Sequence, residues 1–427
     1  MRLWPLLSAL LLLSAPTPVL ADDFDFGETF DEEPSGLGLP VRGKLALGSG
    51  YQFGEPQKLV SLDTTASLIL DWSGDWGRLA GEGDFEVNAA HWLEDRSDYT
   101  IEHYTFVALL RSLHYSYAWD SVSIQAGQLM TVWSAGDLLP VLDVLTALDT
   151  TEGFFARPEQ YRLGQVGTKL DFYSGDHTLS LVWHAWPQMN RIVQGDHPYS
   201  LFPPELSAAG IRVDLSPEWD PNEIAARWTL RTRGGEVTLM GGRVFERNPI
   251  LTLDLTTPTG VTVNYQAYEF VGIAWTQTAG SVLLKSEIFW SPEAPVQTMG
   301  QPLPQSSETF KGMLGLDYNH ESLGTVIVEA NVVHTGDGGW NTPDGTTASG
   351  ALMWSNRFWR DQLSLSLVGI VFGDLDNRIF RASIDYQVLD ELALNAQGTL
   401  IDYEDFPAFQ AWDRIDLNLV WSWDLSH

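Results

Sequence analysis

The sequence predicts an all-β fold: a closed antiparallel transmembrane β-barrel of about 18 strands, with a helix-bearing inward loop between strands 5 and 6. Three observations predict it. Apolar and polar side chains alternate over segments of roughly nine to eleven residues, short connections alternate with long ones, and aromatic residues gather at segment ends. Only a closed barrel accounts for the first two together, because a sheet in hydrocarbon must satisfy its backbone groups and leave no open edge.

Taken in order, residues 1–21 read as a cleaved secretory signal. Arg2 carries the positive charge, residues 6–13 form an apolar core too short to span a bilayer, and Val19 and Ala21 are small residues before the cut. Residues 22–40 form an acidic tail expected in the periplasm, in which Asp22, Asp23, Asp25, Glu28, Asp31, Glu32 and Glu33 surround Phe24, Phe26 and Phe30. The barrel is expected to fill residues 41–427. There is no cysteine, which removes disulfides and a lipoprotein anchor, and the formal charge of −32 excludes nucleic acid as a partner. Beyond the signal no run of 18 apolar residues exists, which excludes membrane-spanning helices.

Strands are predicted at 41–53, 58–72, 78–92, 103–118, 121–132, 163–173, 178–186, 224–233, 236–245, 262–277, 281–290, 310–318, 325–334, 349–358, 362–372, 379–388, 392–400 and 411–425. The last is the clearest: Ile415, Leu417, Leu419, Trp421, Trp423 and Leu425 alternate with Arg414, Asp416, Asn418, Ser422 and Asp424. Short connections such as 73–77, 119–120, 234–235 and 389–391 belong at the periplasmic end. Long ones at 93–102, 133–162, 187–223, 246–261, 291–309, 335–348 and 401–410 belong outside. Of the 18 tryptophans, Trp72, Trp76, Trp119 and Trp359 flank tight turns, whereas Trp92, Trp186 and Trp290 sit at opposite strand ends, as two interfacial belts require. A two-domain sandwich would need a linker and a propeller a repeat, and neither is present after residue 41.

Residues 133–162 interrupt this pattern. Leu138, Val141, Leu142, Leu145 and Leu148 recur at helical spacing, Asp137 is placed to cap the first turn, and Pro140 falls inside it. The expectation is a helix with an apolar face from Leu138 to Leu148, in a loop whose residues 133–149 fold into the barrel as a constriction built from Trp133, Asp137, Leu138, Leu142, Asp143, Leu145 and Asp149. Its apolar face would bury against itself and Phe154-Phe155 or line a greasy path, and Asp143 would face the water or the wall.

Eighteen strands leave an aqueous channel. The residues assigned to its lining include Arg78, Lys169, Arg227, Arg231, Arg233, Lys285 and Arg381 against Glu82, Asp84, Glu86, Asp171, Glu287, Asp385, Asp317 and Glu329. A mixed wall with an acidic excess predicts a weakly cation-preferring pore. Arg227, Arg231 and Arg233, beside Lys169 and Arg243, form a ladder that either binds a carboxylate or phosphate or pairs with Glu236 across a turn. No metal or cofactor is expected: 374–377 and the Asp337/Asp344 loop lack calcium-loop spacing. His114 lies between Ser112 and Ser116, but no G-x-S-x-G or H-E-x-x-H accompanies it, so it is assigned to the pore lining and no enzyme is predicted.

The stretch 121–149 resembles a family of proteobacterial outer-membrane proteins of unassigned function that occur with RND-type exporters. The resemblance rests on Gly127-Gln128, Trp133, Asp137, Leu139, Val141-Leu142-Asp143-Val144 and Asp149. It departs from the family at Ala126, at Ser134 and at Thr146-Ala147-Leu148, and covers about thirty residues. A looser similarity to alginate-export barrels lacks their concentrated positive path. The resemblance implies a Gram-negative outer-membrane location and, as a partner, a periplasmic exporter component docking through the acidic tail. Outer-membrane lipid, lipopolysaccharide and the barrel-assembly machinery are the other expected partners. The leading expectation is a channel passing small or amphiphilic solutes by diffusion; the alternatives are the exporter partner and a membrane-embedded hydrolase that would depend on His114.

Overall fold

In the computed structural model the described residues are 40–54, 57–151, 162–200, 213–215, 222–253, 261–296, 305–336, 345–373, 377–403 and 413–425. The signal, the acidic tail, Phe154-Phe155 and the two loops weighed for metal lie outside them. The strands are β1 Val41–Gln52, β2 Lys58–Gly74, β3 Gly77–Asn88, β4 Phe106–Trp119, β5 Val122–Leu129, β6 Ala147–Leu148, β7 Arg162–Leu163, β8 Gln165–Ser174, β9 His177–Trp186, β10 Glu223–Thr232 and β11 Gly235–Phe245. They continue with β12 Ile250–Leu253, β13 Val261–Asn264, β14 Ala267–Ala279, β15 Val282–Val296, β16 Gln305–His320, β17 Gly324–Thr335, β18 Thr346–Phe358, β19 Leu363–Phe372, β20 Asn377–Leu389, β21 Leu392–Tyr403 and β22 Arg414–Asp424. Two short helices, α1 Ala90–Leu93 and α2 Asp98–Tyr104, stand between β3 and β4.

Eighteen of these strands form a single antiparallel sheet, and β1 pairs with both β2 and β22, which closes it. Closure removes the edges that hydrocarbon would not tolerate. Each predicted barrel strand has its counterpart. The differences are at the outer ends: 89–92 leave the sheet for α1, 103–104 belong to α2, and 261–264 pair with β12 apart from the barrel. At the other end β10 meets β11, and β14 meets β15, through two-residue turns, where Gly234 (φ 82°) and Gly280 (φ 65°) supply left-handed backbone.

The alternation sorts the side chains as expected. Leu314 is 69% exposed between buried Met313 and Gly315, and Leu367, Phe380, Leu400, Leu417 and Val328 share its outward face. Trp72, Trp76, Trp119 and Trp359 stand exposed near the tight turns and Trp92, Trp186 and Trp290 near the other rim. Trp76 stacks on Tyr115 and meets Trp72 edge-on, an arrangement suited to an amphipathic belt.

At the outer rim, α1 and α2 join the segment 187–200. The Asp196 carboxylate accepts from the Ser97 amide (2.8 Å), the Ser97 hydroxyl (2.6 Å) and the Thr100 hydroxyl. Behind it, the rings of His91, His197 and Tyr104 meet edge to face. Burial pushes the His91 imidazole down to about 4, the Arg96 charge adds to the effect, and His197 is held well below its ordinary value mainly by burial. Both rings are therefore packed in the neutral form.

Two outcomes follow from this architecture. Leu314→Arg should destabilise the barrel by roughly 2–4 kcal/mol in refolding titrations into lipid vesicles, whereas inward Gln125→Arg should cost far less; equal costs would refute the facing assignment. The histidine cluster binds protons less readily folded than unfolded, so its contribution is complete above pH about 6.5 and declines as pH falls toward 4. Amide exchange in 98–104 should accelerate across that window and stay constant from pH 7 to 8.

Candidate functional site

The loop that follows β5 enters the barrel, but not as a helix. Among 133–151 the backbone is extended and bent; Ala147–Leu148 pairs with Arg162–Leu163, and Asp149 forms a parallel bridge with Arg191. The expected helix is overturned because its amide protons have other acceptors. Glu287 on β15 receives the Ser134 hydroxyl (2.7 Å) and the amides of Ala135, Gly136 (3.2 Å), Val141 (2.9 Å) and Leu142 (3.1 Å). Glu329 on β17 receives those of Asp137 (2.8 Å), Leu138 (2.9 Å) and Leu139 (2.7 Å). Pro140, which has no N–H, falls between the two sets. Charge-assisted bonds of this kind outweigh the neutral i to i−4 ladder that they replace.

The charges are balanced locally. Lys285, one inward position from Glu287, places its ammonium 2.8 Å from Asp317 and 3.1 Å from Glu329, and it pairs with Asp137 of the loop. The Asp137, Asp317 and Glu329 carboxylates converge closely enough to suggest a metal centre, but the Lys285 ammonium supplies the positive charge there. Burial raises the Asp137 carboxyl against the pull of Lys285.

The inner wall facing the loop is not the polar surface expected. Leu138 and Leu139, both 0% exposed, pack with Ile327, Met353, Val368, Ile370, Ile379 and Ile401. Val141, Leu142 and Leu145 pack with Met240, Phe270, Phe289 and Met313, and Trp133 joins this second group. Gly272 makes the close approach possible, since a methyl group there would collide with the Leu142 side chain. The guanidinium of Arg227 lies 5.9 Å from the Trp133 ring centroid.

The loop's far end is held as well. Asp143 turns away from open water to Arg162 (3.6 Å) and the Thr146 hydroxyl (2.6 Å), with burial raising its carboxyl. Asp149 pairs with Arg191 (2.9 Å), and the Leu145 carbonyl accepts from Arg247 (2.9 Å), itself paired with Glu223 beside His184. Tyr199 follows the loop into the barrel and accepts from Arg414.

Of the predicted lining residues, Lys285 and Glu287 are buried under the loop and do not line an open pore. Arg381 is also buried, with an Nε that has no hydrogen-bond partner, next to Thr399 in register. Lys169 pairs with Asp171 (3.2 Å), and Asp385 accepts from Asn395. The proposed arginine ladder is dispersed: Arg231 faces Glu236 in register, Arg233 sits in the turn, and Arg243 lies opposite outward-facing Ile224. Along β2 to β5 the wall is open instead. Ser67, Glu82, Asp84, Glu86, Ser112, His114, Ser116 and Gln125 are half-buried around it, with Arg78 paired to Asp71 (2.8 Å) and Arg111 to Asp84. Arg111 escapes the period-two pattern because the register shifts at Glu82/Gly83 opposite it, bringing two neighbours, Arg111 and Ser112, off the outer face.

No family model and no curated protein matches the chain, so the link to exporters rests on the resemblance of 121–149 alone. Solved structures match in fold. Pseudomonas aeruginosa OpdL gives a TM-score of 0.53 at 13% identity over 90% of this chain and 99% of that one. Acinetobacter baumannii OccAB2 gives 0.52 at 10% over 90% and 97%. Pseudomonas aeruginosa OccK2 (OpdF), solved in complex with glucuronate, gives 0.50 at 11% over 90% and 96%. With its closed sheet, its outward apolar band and its two aromatic belts, the chain is a porin-like β-barrel of the Gram-negative outer membrane.

Proposed function

We propose that the protein is a diffusion channel for small solutes, narrowed by the loop 133–162. The observation that carries this reading is the asymmetry of the lumen. The loop is seated on the inner faces of β11 and β14 to β21, while the inner faces of β2 to β5 keep half-exposed polar and charged side chains. Solute and water pass along that second wall, between it and the polar side of the loop.

The open wall carries Glu82 and Glu86 on β3, with the Asp84 side chain between them buried in an ion pair with Arg111. An acidic stripe in a water-filled cleft with low-dielectric walls concentrates cations. The reading is therefore a channel with weak cation preference and no chemistry. His114 on this wall contributes a polar surface.

Conductance in planar bilayers tests this reading. The intact barrel should conduct, with a reversal potential of the sign for cations under a salt gradient; zero conductance or clear anion selectivity would overturn it. Replacing both anchors, Glu287→Gln with Glu329→Gln, should raise single-channel conductance, as should Gly272→Val, which leaves the carboxylates intact but removes the space for Leu142. Unchanged conductance in both would mean that the loop sets no constriction. Glu329→Ala alone should destabilise by about 3–5 kcal/mol in denaturant titrations, because Lys285 and three loop amides lose a buried partner.

A further inference from the structure

The connection from β9 to β10 sends a second piece of chain into the barrel. Val193 and Tyr199, 2% and 3% exposed, pack in the same apolar group as Leu138 and Leu139 of the constricting loop. The Arg414 guanidinium of β22 lies 5.5 Å from the centroid of the Tyr199 ring and donates to its hydroxyl. Arg414 also donates to Ser61 (3.1 Å) on β2 and pairs with Asp416. Tyr199 is thus seated inside the barrel by Arg414 and tethered at the rim by the residues before it.

The tether is a turn built on a histidine. The Tyr199 amide donates to His197 Nδ1 (3.3 Å) and the Ser200 amide to the His197 carbonyl (3.0 Å). The His197 ring meets those of His91, Tyr104 and Tyr199 edge to face, and the Tyr104 hydroxyl accepts from the Gln194 amide (3.1 Å). A ring nitrogen that accepts cannot also carry a proton, so the turn requires neutral Nδ1 on His197. The charges around the two histidines oppose a cation there. Arg96 acts on both and Arg191 on His197, while the Asp196 carboxylate already accepts from Ser97 and Thr100. Lys58 interacts with Arg96, Asp196 and Glu94 beside the outer end of β2, where these charges offset one another. Tyr99 and His103 stand next to Tyr104 on α2.

We propose that this cluster is an acid-released latch: protonation of His91 and His197 frees residues 192–200 from the rim and withdraws Tyr199 from Arg414, which widens the lumen. Only the widening rests on the channel reading; the latch itself is a property of the rim. Released imidazoles titrate near their ordinary value, whereas His91 in place titrates at about 4. The released form should therefore gain about tenfold by pH 5.5 and on the order of a hundredfold by pH 4.5, relative to pH 8, from His91 alone. His197 adds to the gain.

The chain has no cysteine, so Ser200→Cys gives the full barrel a single attachment point for a nitroxide spin label. In lipid vesicles the label should be immobile at pH 8 and gain a mobile component, reversibly, as the pH falls below 6. His91→Gln with His197→Gln keeps a side-chain acceptor for the Tyr199 amide but no titrating ring, and should abolish the mobile component. Tyr199→Phe, which removes the acceptor for Arg414, should move release toward neutral pH. Heat-modifiable gel migration confirms that each barrel is folded at the lowest pH used. In planar bilayers, acid on the loop side should raise single-channel conductance by a step that the double variant lacks. A label that stays immobile down to pH 4, equal mobility in the double variant, or a conductance that falls in acid overturns the proposal. Release of the label in a barrel that conducts at no pH supports the latch and overturns the channel reading instead.

Discussion

Two carboxylates on the barrel wall decide the shape of the lumen. Between them Glu287 and Glu329 accept seven backbone amides and one hydroxyl from residues 134–142. Consecutive amides in a helix point along one axis and bond within the helix; here they are turned toward two fixed anions. A buried carboxylate is costly unless it is paired and fully hydrogen-bonded, and a backbone amide inside a barrel is costly unless it has an acceptor. Each side resolves the other's deficit, and Lys285 neutralises the remaining charge. The apolar packing of Leu138, Leu139, Leu142 and Leu145 is possible because this polar seam brings the chain onto the wall.

The barrel was legible in the sequence because its rule is local. A strand facing lipid on one side and water on the other repeats every two residues, and closure follows from the connections. The loop was not legible, for the opposite reason. Its apolar spacing of three and four residues is what a helix shows, yet here Leu138-Leu139 and Val141-Leu142-Leu145 serve two separate apolar patches on the wall. The acceptors that defeat the helix lie more than 140 residues downstream. Glu287, Lys285, Asp317 and Glu329 were visible as inward-facing charges, but nothing in alternation distinguishes a charge that meets water from one that meets a loop. Arg111 was lost for a smaller reason, a bulge that breaks the period at one position.

The lumen is thus divided by function. The inner faces of β11 and β14 to β21 carry the apolar residues and buried charges that hold the loop, and those of β2 to β5 carry the half-exposed polar groups. A wide barrel need not be polar throughout its interior; it must be polar only where water remains. The outer surface carries a protruding apolar band.

The seam also sets an order of assembly. The residues that enter the barrel are made early in the chain, while their acceptors lie on β15 and β17, separated from them by 145–192 positions. Until those strands are in place, the amides of 135–142 have no anions to meet and the leucines no wall to cover. Sheet formation through β17 must precede full seating of the loop. The barrel carries inside it a cargo of its own chain.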